Sequence, residues 1–155
     1  MRPRYLEIEG LQSFRELQTI DFDKLGETGL FGIFGPTGSG KSTILDAITL
    51  ALYGNVQRAS RGTQGITNIA LNTVKVAFVF DLLKDGVRKT YRVERSYKRK
   101  KASDNSVEIK VARLIEVMEK DSIILADKPG EVNQNIVELL GLQDDDFTRS
   151  VVLPQ

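Results

Sequence analysis

Gly35-Pro36-Thr37-Gly38-Ser39-Gly40-Lys41-Ser42-Thr43 lies between an apolar segment, Leu30-Phe31-Gly32-Ile33-Phe34, and a run in which Ile44, Leu45, Ile48, Ala51 and Leu52 share one helical face. The spacing G-x-x-x-x-G-K-[ST] is met without a mismatch, and strand, glycine turn and helix in that order are the context it needs. A chance glycine turn before a core helix would need neither flank. The chemistry expected of the stretch follows from its backbone. Gly35, Gly38 and Gly40 can take dihedrals that other residues avoid, so successive N–H groups turn inward around an anion. The helix beginning near Lys41 adds its unpaired N–H groups and the positive end of its dipole. Lys41 is expected between β- and γ-phosphates, the Ser42 hydroxyl on Mg²⁺, and Thr43 at the α-phosphate.

The bulk numbers bound the rest. With 155 residues the chain has the size of one domain and enough material for a core. Lys+Arg number 22 against 21 Asp+Glu, so a polyanion partner would have to meet a local basic patch. There are no cysteines and no histidines, which excludes disulfides, thiolate or imidazole metal sites and Ser/His/Asp triads within this chain. No apolar run approaches the length of a membrane span, and Met1-Arg2-Pro3-Arg4 leads toward a strand rather than a signal peptide. A soluble cytoplasmic protein with no membrane partner is expected.

Outward from the loop, residues 5–9 and 18–22 read as strands, with a loop at 10–16 and a polar turn at 23–28. The helix after the loop is expected to reach Tyr53 and stop at Gly54. Residues 55–72 are polar, carry Arg58 and Arg61, and read as a long loop that could lie over the nucleotide. Residues 74–83 alternate, with Val74, Val76, Phe78, Phe80 and Leu82 on one face; Asp85-Gly86 is a hairpin signal. Residues 87–97 alternate again, Val87, Tyr91, Val93 and Tyr97 against Arg88, Thr90, Arg92 and Glu94. A basic loop is expected at 98–106, a further strand at 107–117, and a short apolar one at Ile123-Ile124-Leu125. A helix is expected from Pro129 to about Leu140, ended by Gly141, then a short helix capped within Asp144-Asp145-Asp146 and a last strand at 151–155. The class is therefore α/β: an antiparallel β-meander packed beside a strand–loop–helix core.

Hydrolysis needs a carboxylate near Mg²⁺, and the usual second element is four apolar residues followed by Asp. Val76-Ala77-Phe78-Val79-Phe80-Asp81 and Ile123-Ile124-Leu125-Ala126-Asp127 imitate it. Asp81, however, belongs to a strand that alternates on into a hairpin, and Asp127 is better placed as a helix cap. The catalytic acid is expected outside this chain.

Three ordered blocks then resemble the SbcC family, the SMC-like, ABC-type ATPases of a double-strand-break repair nuclease complex. They are residues 29–48 with Leu50-Ala51-Leu52-Tyr53-Gly54, Ile124-Leu125-Ala126-Asp127-Lys128, and Phe147-Thr148-Arg149-Ser150-Val151-Val152-Leu153-Pro154-Gln155. The resemblance implies that residues 1–155 form the N-terminal lobe of an ABC-type ATPase half-head, cut at the Q-loop. The coiled coil and the C-terminal lobe, with signature helix and catalytic glutamate, would lie outside it. It implies ATP and Mg²⁺ as cofactors, with Gln155 as the Q-loop glutamine that reaches the metal and the attacking water beside Lys41. It also implies that Gln12 and Ser13 lie against the nucleotide; relatives often carry Arg or Asn at the position of Gln12, so here the contact would be a hydrogen bond rather than a charge. The implied partners are the C-terminal half of the head, a second head paired through ATP, an SbcD-type nuclease and double-stranded DNA, in a cytoplasmic, nucleoid-associated protein.

Arg95-Ser96-Tyr97-Lys98-Arg99-Lys100-Lys101 puts five cations into seven residues. Such a run is either a solvated face or a patch for a duplex backbone, with Arg95, Lys98, Arg99, Lys100 and Lys101 as phosphate contacts rather than base readers. Two other functions stay open from the residues: a self-contained P-loop kinase or GTPase using Asp81 as metal carboxylate, and a nucleotide-sensing scaffold that binds without hydrolysing.

Overall fold

The computed structural model describes residues 1–25, 32–101 and 104–151. Six strands form one sheet: β1 (Arg2–Glu9), β2 (Gln18–Asp21), β3 (Thr73–Lys84), β4 (Val87–Lys101), β5 (Asp104–Val117) and β6 (Ser122–Ala126). Their order is β2-β1-β3-β4-β5-β6, and every neighbouring pair is antiparallel. The helices are α1 (Phe22–Leu25), α2 (Lys41–Tyr53), α3 (Pro129–Leu140) and α4 (Asp144–Val151).

The two-residue period decides which face is covered. Leu6 and Ile8 of β1, Val74, Val76, Phe78 and Phe80 of β3, and Tyr91 and Val93 of β4 all point into one core. On that face α2 rests on β3 and β4, while α3 rests on β5 and β6. The opposite face carries ion pairs, Arg92 with Glu7 at 2.8 Å and Lys75 with Glu9 at 3.0 Å. The β3–β4 turn is the expected one: Asp85 and Gly86 take φ 52° and 77°, so the strands continue in register from Lys84 and Val87. Gly54 ends α2 in a left-handed conformation, φ 73°, its N–H donating to Leu50 O at 2.9 Å. Phe147 of α4 packs on Tyr53 at the end of α2, ring centroids 5.6 Å apart.

Several expectations are corrected. Residues 32–34 are irregular rather than strand, and Phe34 is 92% exposed; residues 30–31 of the expected strand lie outside the described residues. A strand is held by its ladder, and none of the six strands pairs with 32–34. The basic segment is not a loop. Residues 98–101 extend β4 and residues 104–106 begin β5, because the two can pair: Lys98 faces Glu108, and Arg99 faces Val107. The α2 stripe is graded rather than uniform. Ala51 and Leu52 are buried in the core with Ala47 and Leu50, while Ile44 and Ile48 pack half-buried against it and, with Leu45, Phe22, Leu140 and Phe147, line an apolar cleft of about 430 Å³. Asp127 is not the cap of α3; Lys128 holds that position without a side-chain bond, and Pro129 at N1 removes one N–H that a cap would serve. Val151 ends α4, and residues 152–155 of the expected last strand lie outside the described residues.

Candidate phosphate-binding site

The loop turns where its glycines allow it. Gly38 and Gly40 stand at φ 84° and 91°, in the left-handed region, while Gly35 at 159° is extended and does not require glycine for its dihedral. A Cβ on Gly35 would nevertheless lie 2.8 Å from Ser39 Oγ, and one on Gly40 2.9 Å from Phe14 Cζ. The Ser39 N–H donates to Pro36 O at 3.2 Å, closing the turn, and the Ile44 N–H donates to Gly40 O at 3.2 Å, opening α2. Among the described residues, nothing accepts from the amides of Gly38, Gly40, Lys41 and Ser42. They are the orphan donors expected at a helix start, and they fit an anion.

Lys41 Nζ donates to Gly35 O at 2.6 Å and to Pro36 O at 2.8 Å, so the cation lies over its own loop and would exchange these carbonyls for phosphate oxygens. The Ser42 hydroxyl has no partner among the described residues. Thr43 is turned inward: it is buried, and its hydroxyl donates to Gln12 Oε1 at 3.1 Å. The structure thus brings Gln12 to the first turn of α2, as a brace behind the loop. Ser13 beside it is exposed, and Gln155 lies outside the described residues.

Asp81 is not free to serve as the acid. Asp81 is 3% exposed, and both its oxygens are taken: Oδ2 accepts from Arg4 Nη1 at 3.0 Å and Oδ1 from the Thr90 hydroxyl at 2.8 Å. It pairs with Arg2 at one end of β1, while Glu9 at the other end pairs with Lys75. Six residues along β3 separate the two pairings, about 20 Å at strand rise. Gln12 and Thr43 adjoin the Glu9 end. Among the described residues, no group of three or more acidic or thiolate side chains that could hold a metal is present.

The basic segment divides in the same way. Arg95 is not a phosphate contact. It is 2% exposed, and it donates from Nε to Ala51 O at 2.7 Å and from Nη2 to Leu52 O at 2.9 Å and Asn133 Oδ1 at 2.6 Å. Burial lowers its pKa from the usual arginine value, partly offset by Tyr97. Arg99 is half-buried and donates from Nη2 to Asn68 O at 3.1 Å. Lys98 and Lys100 are exposed; with Lys110 they hold the Glu108 carboxyl below its usual range, chiefly through the Glu108–Lys110 contact at 2.5 Å. The Lys101 side chain lies outside the described residues.

A protein-family model described as AAA domain matches residues 5–155. The chain belongs to the AAA domain family. Among curated proteins, the SbcC subunit of the SbcCD nuclease of Bacillus subtilis is 54% identical over 155 residues, which are 100% of this chain and 13% of that protein. The protein of the same name in Clostridium acetobutylicum is 44% identical, with 100% and 13% covered. The "Probable DNA double-strand break repair Rad50 ATPase" of Aquifex aeolicus is 38% identical over 157 residues, with 100% and 14% covered. This AAA domain therefore spans about 13% of the length of the first two of these relatives. Among solved structures, an SMC head domain from Thermotoga maritima aligns at 20% identity with a TM-score of 0.44, covering 87% of this chain and 42% of that one. The chain is α/β as expected, an antiparallel sheet beside the phosphate loop and its helix. No described helix is long and apolar enough to cross a membrane.

Sequence reasoning missed three features here: Phe14 against Gly40, Asn68, whose Nδ2 donates to Gln12 O at 2.6 Å, and the Arg58–Asp46 ion pair that fastens residues 54–72 to α2. None of the three has a legible signal, whereas the burial of Arg95 does. Alternation puts it on the same face as Tyr91, Val93 and Tyr97, which is the buried one.

Proposed function

We propose that this AAA domain is the N-terminal, ATP-binding lobe of the ATPase head of a DNA double-strand-break repair protein. The observation that carries the reading is the set of amides at Gly38, Gly40, Lys41 and Ser42 that have no partner among the described residues, set on a helix start beside the Lys41 cation. The loop, Gly35 to Thr43, takes the triphosphate; Lys41 neutralises β- and γ-phosphates; Ser42 and Gln155 hold Mg²⁺; Gln12 and Ser13 border the nucleotide. The metal supplies charge for the developing phosphoryl group. Asp81 is spent on Arg4 and Thr90, which argues against a self-contained kinase or GTPase. The attacking water therefore needs an acid from polypeptide beyond these residues, in keeping with relatives of which the chain spans 13%.

In this reading ATP pairs two heads, hydrolysis parts them, and the cycle gates an SbcD-type nuclease on double-stranded DNA in the cytoplasm, at the nucleoid. Differential contact to the γ-phosphate shifts the population between open and closed heads. Lys98 and Lys100, with Arg99 and Lys101, would lie along the duplex backbone, each neutralised phosphate releasing counterions.

The test measures Mg²⁺-ATP binding and turnover by the 155-residue chain, alone and with the C-terminal half supplied. Binding alone, turnover only with the second half, and loss of at least about tenfold in affinity in Lys41→Ala are expected. Turnover by the chain alone that Asp81→Asn abolishes would overturn the reading.

A further inference from the structure

Residues 54–72 touch both regions to which the proposed function assigns ligands. On one side they zip to the segment behind the phosphate loop. The Gln12 N–H donates to Ile66 O at 2.8 Å, the Asn68 N–H to Gly10 O at 2.8 Å, and Asn68 Nδ2 to Gln12 O at 2.6 Å. On the other side they meet the basic hairpin. Arg99 Nη2 donates to Asn68 O at 3.1 Å, the Arg99 N–H to Asn72 O at 2.8 Å, and the Gly65 N–H to Asn105 O at 2.9 Å. Asn68 is the residue bonded in both directions.

We propose that Asn68 is a positioning residue that couples the basic hairpin to the phosphate loop, so that a duplex bound at the hairpin changes nucleotide affinity. The inference rests on the reading of the two ligand sites given above. Its physical content lies in what Asn68 holds. Gln12 stands at φ 45°, a left-handed conformation that a non-glycine residue keeps only when its surroundings fix it. The Asn68 amide and the Ile66 carbonyl fix it. From there, Gln12 accepts the Thr43 hydroxyl, and two residues on, Phe14 fills the space over Gly40. Both contacts fall on the first turn of α2, whose amides would close on phosphate. A shift of that turn moves Gln12 and Phe14 together.

The hairpin end has the complementary property. Arg99 is at once a candidate phosphate contact and the donor to Asn68, and its Nε is buried without an acceptor among the described residues. A duplex phosphate drawing the guanidinium outward loosens the Asn68 carbonyl contact and frees the residues that brace Gln12. Coupling between two binding equilibria is reciprocal, so the duplex and the nucleotide must change each other's affinity by one factor.

The experiment titrates the 155-residue chain with a fluorescent ATP analogue and Mg²⁺, with and without a short DNA duplex, and then with the duplex, with and without nucleotide. In the unaltered chain each ligand is expected to shift the other's Kd by about fivefold. Asn68→Asp keeps the Oδ1 that accepts the Ala70 N–H at 3.0 Å but turns an oxygen toward Gln12 O in place of the donor. In that variant the ATP Kd without duplex should move to about the value that the unaltered chain shows with duplex bound, and the mutual shift should fall to about one. Asn68→Ala, which removes the donor without the repulsion, should do the same. Two ligands that bind without shifting one another, or a shift that survives in both variants, overturn the inference and leave the function standing. Failure of the unaltered chain to bind ATP overturns both.

Discussion

Under α2 and α3, Leu6, Ile8, Phe78, Phe80, Val93 and Leu114 are wholly buried; at the edge beside the phosphate loop, Phe34 is 92% and Ile33 40% exposed, above a cleft lined by Ile44, Leu45 and Ile48. Both regions carry large apolar side chains. They differ in whether a second surface is present to take the apolar groups out of water. The sheet meets its own needs: six strands in one ladder, two helices over one face, and ion pairs on the other. The loop edge presents the donors for an anion and the apolar residues for a further layer, and among the described residues it supplies neither the layer nor an acid. Stability and the completion of the site are therefore separable here, and substitutions should sort cleanly between them.

The largest effect is expected at Arg95. Its guanidinium satisfies the last carbonyls of α2 and an amide of α3, so Arg95→Ala should cost about 3 kcal/mol in denaturant unfolding while leaving the nucleotide affinity of the folded chain unchanged. Arg95→Lys should recover little, since an ammonium cannot span three oxygens in the same fork. A cost below about 1 kcal/mol would mean that the covered face is less closed than its burial indicates. Next comes the alkaline limb. Burial pushes both Tyr97 and Tyr53 up to about 12, from an ordinary value of 10.0. An unfolded tyrosine gives up its proton near 10 while the folded one keeps it, so stability is full below about pH 10 and falls as pH rises toward 12. Tyr97→Phe should flatten that fall by on the order of 1 kcal/mol per pH unit. An unaltered slope over that range would show that the hydroxyl titrates as if exposed.

The covered region was the legible one. Residues 74–83 and 87–97 carry the strand period in their own letters, and Asp85-Gly86 and Gly54 mark their ends by backbone chemistry that needs no tertiary context. The phosphate loop was legible for the same reason, its glycines and lysine being local requirements. What could not be read depends on partners distant in the chain. The strand expected at Leu30-Phe31-Gly32-Ile33-Phe34 has an apolar sequence, but residues 32–34 have no ladder, and apolarity does not specify one. By charge density alone the basic run reads as a loop, and register is what decides otherwise. Opposite Lys98 stands Glu108, ten residues on, and that pairing makes a strand of it. Asn68 carried no signal at all, since its value lies in being between Gln12 and Arg99, residues 56 before and 31 after it.

Asp81 tests the boundary from the other direction. As a metal carboxylate, its loss would abolish nucleotide-dependent function and leave folding alone. In its observed place it should do the reverse, because Arg4 and Thr90 lose a buried charged acceptor while neither of its two bonds reaches the loop. Asp81→Asn is expected to cost about 1–2 kcal/mol of stability and less than about twofold in Mg²⁺-ATP affinity.

The smallest effect is expected at Phe34, and it constrains the comparison most tightly. A phenylalanine this exposed contributes almost no burial, so Phe34→Ser should change the unfolding free energy of the 155-residue chain by less than about 0.5 kcal/mol. If the edge is a surface awaiting a second layer, the same substitution should weaken association with the C-terminal half by about tenfold, since covering an aromatic side chain is worth roughly 1.5–3 kcal/mol. The two measurements must diverge. A loss of stability above about 1 kcal/mol in the chain alone would mean that Phe34 is already packed, and the loop edge would then be as closed as the sheet.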